Sequence, residues 1–238
     1  MQPSRYCLHC NLSVERFEAY CRPGEGSVPA IARYLWNIQL CEALYPTLNC
    51  VEIGIRNSVN NSLANEYGAA WYDEPGLLGP YELDSIADAR LSLQKTNKPD
   101  TPARIVSELS FGFWTRMMSR QYYSPNNEHL KPWPRLTKST FPHVPNKQRF
   151  HTQLAAWLNE VRVLRNRVSH HEPIWHYADL GVQYERAKEL ATWMAPAVAL
   201  AMDHIDRFPT ILAGGSIVHH ATLEEIGTWD PILPQDPA

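Results

Sequence analysis

Residues 164–175 read LRNRVSHHEPIW. Two arginines, an asparagine and two adjacent histidines close a run that is otherwise apolar and patterned as a helix. Imidazole ionises near neutrality, so it can take a proton from one oxygen and deliver one to another. A guanidinium is a planar fork that holds two phosphate oxygens at once. Together these groups suit cleavage of an RNA strand. Imidazole removes the 2′-hydroxyl proton or protonates the departing 5′-oxygen, while the cation stabilises the five-coordinate phosphate. Such chemistry calls for no cofactor and no metal.

Spacing decides which of these groups can meet. A helix turns about 100° per residue, so Asn166 and His170 share one face, and Arg167 and His171 share the next. Asn166 is then placed to orient the His170 ring and fix its tautomer. Arg165 and His170, with four residues between them, stand about 140° apart on a regular helix. They converge if the helix loosens before Pro173, or if a second copy supplies the missing partner across a two-fold interface. Two other readings stay open. Arg165 and Arg167 can be plain surface residues, with His170 favoured at a helix end by the macrodipole. A zinc site needs three or four ligands, which adjacent histidines rarely aim at one ion.

The formal net charge is −3, yet it is unevenly spread. Residues 131–170 carry Lys131, Arg135, Lys138, Lys147, Arg149, Arg162, Arg165 and Arg167 against the single acid Glu160, which makes the segment +7 and the remainder −10. A basic stretch on an acidic chain is the footprint of a surface that faces phosphates, and Lys147, Arg149, Arg162 and Arg167 are its candidate RNA contacts. A locally basic loop and helix without a polyanion partner is the alternative.

The five cysteines are Cys7, Cys10, Cys21, Cys41 and Cys50. CLHC at 7–10 has the two-residue spacing of half a zinc ribbon, but no second such pair follows, and only His9 and Cys21 could complete it. Reduced thiols with no special role are the expectation. No uninterrupted run of about 18 apolar residues is present, so no membrane span is expected. The first residues lack an apolar signal core, which argues for the cytoplasm.

Helical periodicity supplies the elements that must position this chemistry. Segment 28–48 repeats apolar residues at helical spacing and is expected to end near Pro46. In the next segment Val51, Ile55, Val59 and Leu63 fall every four residues, one apolar stripe that ends at Gly68. A helix is expected within 81–96, and another bulky one over 101–123, where Ile105, Leu109 and Phe113 are again four apart. Residues 124–147 carry five prolines and read as a loop or arm. Leu154, Leu158, Val161, Leu164 and Val168 mark the buried face of the helix that leads into the histidines. A last long helix is expected to break near Pro196. Beyond Pro209, glycine and proline suggest a tail. No alternating strand pattern appears, so the expected fold class is all-α, a helical bundle with a Pro-rich basic arm and irregular termini.

LRNRVSHHEPI is similar to the signature of the Abi-like proteins, the abortive-infection group within the HEPN superfamily. YLWNIQLCEALYPTLNCVEIGIRNSVNNSLANEYGAAWY (34–72) and IVSELSFGFWTRMMSRQY (105–122) resemble two further blocks of that family, in order. The resemblance implies a HEPN-type bundle, commonly dimeric, with an R-x4-H motif at a shared cleft and metal-independent endoribonuclease activity. Carried over, Arg165 binds the scissile phosphate, His170 is the acid or base, and Asn166 is the polar residue after the arginine. His171, Glu172 and Pro173 match the flanking signature. Glu52 and Arg56 are spaced to pair on one helix, and Asn57 beside Arg56 echoes Arg165-Asn166, which makes Arg56 and Asn57 candidate supporting residues near the cleft.

The resulting expectation is an endoribonuclease of a prokaryotic antiphage or toxin system that acts on RNA, with a homodimer as its working form. Residues 1–27 would be an extension, 28–208 the helical domain and 209–238 a tail. The alternative is a non-catalytic module that grips RNA, a dedicated small RNA or an antitoxin, since phosphate contacts need cations but no general acid.

Overall fold

The computed structural model describes residues 13–226. Among them lie eleven α-helices and no β-strand, the only extended pairing being an isolated bridge between Tyr123 and Trp133. The fold class is all-α. The helices are α1 (Val14–Glu18), α2 (Ser27–Tyr67), α3 (Pro80–Lys95), α4 (Pro102–Glu108), α5 (Phe111–Met117) and α6 (Thr137–Thr140). They continue with α7 (His151–Ser169), α8 (Leu180–Met194), α9 (Pro196–Asp203), α10 (Phe208–Gly214) and α11 (Ile217–Ile226).

The helix expected to stop near Pro46 does not stop. α2 runs on for 41 residues with Pro46 in its interior. An interior proline costs about 3 kcal/mol, whereas each fully buried leucine contributes roughly 1.5–3 kcal/mol. Leu40, Leu44, Leu48 and Val51 are all buried around that turn, so side-chain burial outweighs the lost backbone bond.

The chain divides at this proline into two compact units. One comprises Met1–Tyr45, Asn166–Gly181 and Asp206–Ala238; the other comprises Pro46–Arg165 and Val182–Ile205. In the first, Phe17, Tyr20, Ala30, Ile31, Ala32 and Leu223 form one buried cluster, with Trp175 packed against it. Trp36 donates its indole N–H to the Ile211 carbonyl at 2.9 Å, and Arg207 meets Glu42 at 2.8 Å. Residues past Pro209 are therefore not an irregular tail as far as residue 226: they form α10 and α11, and Leu223 belongs to a core.

In the second unit the stripe Val51, Ile55, Val59 and Leu63 is fully buried, as are Leu154, Leu158, Val161 and Leu164 of α7. Val168, which falls in the first unit, is only half-buried. Trp71, Phe113 and Trp114 pack ring against ring, with centroids 5.0–6.3 Å apart. The helix expected over 101–123 is two helices. Leu109 is extended, and the Ser110 hydroxyl caps α5 by accepting from the Phe113 N–H at 3.2 Å. A serine there offers the chain a new helix start, which the four-residue apolar spacing conceals. Residues 124–147 are largely irregular, as expected, apart from α6, and they are packed down: Trp133, Leu136, Phe141 and Val144 are buried, and Thr140 donates to Ser62 at 2.9 Å. The expected break near Pro196 is present, between α8 and α9.

Candidate functional site

In the first unit, the hydrogen-bond ladder of α7 stays regular through its last turn. His170 N–H donates to the Asn166 carbonyl at 2.9 Å, so no loosening occurs over these residues. The helix then closes with His171 N–H on the Val168 carbonyl at 3.2 Å and Glu172 N–H on the Arg167 carbonyl at 2.9 Å. This is a Schellman ending, with His171 in the left-handed position at φ 57° where glycine is usual. Pro173 follows, unable to continue the helix. His170 and His171 are both exposed.

What comes next is held firmly. The buried Asn37 side-chain oxygen accepts from the Ile174 and Trp175 N–H groups at 2.7 and 3.1 Å. Trp175 stacks on Tyr20 with ring centroids 6.4 Å apart, and the Arg22 and Arg33 guanidinium groups lie 5.2 and 5.3 Å from its ring. Arg167 reaches Glu172 at 3.3 Å and stands 5.3 Å over the Tyr177 ring. Burial, helped by the Arg167 charge, holds the His176 imidazole below its usual value.

Arg165 belongs to the second unit, where a two-pronged contact engages it. Its Nε donates to Glu52 Oε2 at 2.8 Å and its Nη2 to Oε1 at 3.1 Å. The pair is neither buried nor free, at 35% and 27% side-chain exposure. Glu52 thus meets Arg165 rather than the Arg56 that its spacing suggested. Arg56 turns to its neighbour, with Nε donating to Asn57 Oδ1 at 3.4 Å. Sequence spacing missed this partner because the two residues lie 113 positions apart.

The remaining candidate cations are partly committed as well. Arg162 donates through Nε and Nη2 to Asn159 Oδ1, and Arg149 Nη2 to the Val144 carbonyl at 3.2 Å. Arg135 pairs with Glu66 and also donates to the Tyr67 hydroxyl. Lys147 is exposed in a short 3₁₀ turn, Asn146–Gln148. The basic stretch is therefore offset in space by Glu52, Glu66 and Glu172, none of which lies inside it in sequence.

Cys7, His9 and Cys10 fall outside the described residues. Among the described residues, no group of three or more His, Cys, Asp or Glu is placed to hold a metal ion. Cys21, Cys41 and Cys50 are free thiols, and burial pushes Cys41 up to about 11, which leaves it protonated and unreactive at neutral pH. No described helix is long and apolar enough to cross a membrane.

The chain is all-α, and its α7 closes on Arg-Asn-Arg-Val-Ser with His170 and His171 directly after it. The chain belongs to the Abi-like protein family, whose model matches residues 2–176, a span that takes in α7 and the two histidines after it. Membership suggests a role in abortive infection. No curated protein and no solved structure matches the chain.

Proposed function

We propose that this Abi-like protein is a metal-independent endoribonuclease of a prokaryotic antiphage or toxin system, with a HEPN-type fold, that cuts RNA through Arg165, Asn166 and His170. The observation that carries the reading is the exposed imidazole pair just past α7, preceded by Asn166 one turn earlier and by a guanidinium before that. A polyanion can reach these groups from solvent.

In the proposed step an imidazole accepts the 2′-hydroxyl proton and the 2′-oxygen bonds to phosphorus. The bond from phosphorus to the 5′-oxygen then breaks, and a second imidazole returns a proton to that oxygen. The products are a 2′,3′-cyclic phosphate and a 5′-hydroxyl. Arg165 neutralises charge on the phosphate as it becomes five-coordinate. Because the last turn of α7 stays regular, the second imidazole and the Arg165 facing it are assigned to a second copy, which makes the working form a homodimer.

A second reading has an observation in its favour. Arg165 is already engaged by Glu52, and other cations of the basic stretch have intramolecular partners, as expected of a module that binds RNA or a protein partner without cutting. One experiment separates the two. Purified protein and its His170→Ala variant are incubated with end-labelled RNA in EDTA. Fragments ending in a 2′,3′-cyclic phosphate, made only by the unaltered protein, are expected. Equal cleavage by both proteins removes His170 from the mechanism. RNA binding without cleavage by either assigns the chain to the second reading.

A further inference from the structure

Within the second unit, α3, α5 and α7 enclose an open cavity of about 480 Å³, lined by Tyr81, Thr115, Arg116, Ser119, Asn159 and Arg162 among others. No carboxylate is among the lining residues. Glu82, which is fully buried and does not line the cavity, accepts from Arg116 Nε at 2.9 Å. That contact fixes the inner edge of the guanidinium, and the Tyr81 ring, 4.3 Å from its centre, fixes its plane. Both terminal amino groups of Arg116 have no partner among the described residues. Arg162 spends Nε and Nη2 on Asn159 Oδ1 and keeps Nη1. The Ser119 hydroxyl is likewise uncommitted, while Thr115 donates to the Gly112 carbonyl at 3.1 Å and keeps its lone pairs.

Two guanidinium groups with unspent N–H donors and a free hydroxyl, with no carboxylate lining the cavity beside them, select a phosphate monoester over a neutral or cationic ligand. The cavity has the size of a small-molecule site rather than of a lone ion. Its remaining wall, the Tyr81 ring and Ala155, is apolar and suited to a sugar and a flat base. We propose that this cavity binds a nucleoside 5′-phosphate, with the phosphate between Arg116 and Arg162 and the nucleoside along Tyr81. It shares Arg162 with the candidate RNA contacts but uses neither Arg165 nor His170, so it stands whether or not the chain cuts RNA.

Isothermal titration with AMP, adenosine and inorganic phosphate tests the assignment. AMP is expected to saturate one site, and adenosine and inorganic phosphate each to bind at least about tenfold more weakly. Removing Arg116 outright strands the buried Glu82, so the variants are Arg162→Gln, which leaves Glu82 paired, and Arg116→Lys, which keeps the charge but loses the fork. Each is expected to weaken AMP by about tenfold while the melting temperature holds. A 5′-phosphorylated oligonucleotide that displaces AMP, where its 5′-hydroxyl counterpart does not, assigns the ligand to an RNA end; no displacement by either assigns it to the free nucleotide. No AMP binding, AMP binding unchanged in Arg162→Gln, or inorganic phosphate or adenosine binding as tightly as AMP overturns the proposal.

Discussion

Glu52 and Arg165 face each other edge to edge, both guanidinium contacts landing on one carboxylate at 2.8 and 3.1 Å. The arginine proposed to bind a phosphate thus already holds an anion. Any phosphate that uses Arg165 has to displace Glu52 or share the guanidinium with it.

Replacing Glu52 by glutamine is therefore expected to act in two directions. Stability falls only slightly, by about 0.5–1 kcal/mol, because the pair is partly solvated. RNA affinity at low salt rises, and its dependence on log salt steepens by roughly 0.7, the increment for one more phosphate contact on a single strand. Filter binding across a salt series measures it. An unchanged slope shows that removing the Glu52 charge frees no further phosphate contact at Arg165.

His171 occupies a left-handed backbone position at φ 57°. A side chain there costs about 1–2 kcal/mol relative to a residue without a Cβ. His171→Gly should accordingly raise stability by about 1 kcal/mol, seen as a higher melting temperature. A fall in melting temperature would show that the imidazole makes a compensating contact.

Asn37 satisfies two backbone donors from one oxygen. Asn37→Leu leaves both without their acceptor, at a cost of about 1–3 kcal/mol for the buried Ile174 N–H and less for the half-buried one of Trp175. The urea midpoint is expected to drop by a corresponding amount. Asn37→Asp keeps the acceptor and should lose far less.

His151 is buried and stacks with the rings of Tyr123 and Trp133, at 5.0 and 6.0 Å, and neither ring nitrogen has a partner within hydrogen-bonding geometry among the described residues. Burial holds its imidazole below its usual value. The folded chain then binds fewer protons than the unfolded one. Stability from this residue is complete above about pH 6.5 and is lost as the pH falls below it, levelling off beneath the folded value. His176 and His219, both lowered first by burial, act in the same sense. Urea midpoints at pH 7.5 and 5.5 should differ less for His151→Phe than for the unaltered protein. An equal difference removes His151 from the acid response.

Local periodicity made much of this fold readable. The stripe Val51, Ile55, Val59 and Leu63 and the apolar face of α7 through Leu164 follow from spacing, because burial on one side of a helix repeats every three or four residues. Pro46 and Ser110 were not readable in the same way. At the first, core burial overrides a helix breaker; at the second, a cap interrupts an unbroken apolar rhythm. The candidate site divides similarly. Arg165, Asn166 and His170 stand out by type, but the Glu52 contact and the two donors on Asn37 depend on residues more than a hundred positions away. Glu52 was visible only as a possible neighbour for Arg56. Asn37, a buried amide amid the apolar run RYLWNIQL, carried a signal in its own right: an amide on a core-facing turn has to find partners.

The first unit is stitched from three separated lengths of chain, and Leu223 shares its core with Phe17 and Tyr20. During synthesis that core cannot close until a stretch well beyond the histidines has left the ribosome. The nascent chain therefore displays the histidines for a time without the support beneath Trp175 being complete. Translation itself sets the order of assembly: the length of chain bearing the proposed chemistry settles only after the sequence that follows it has been made.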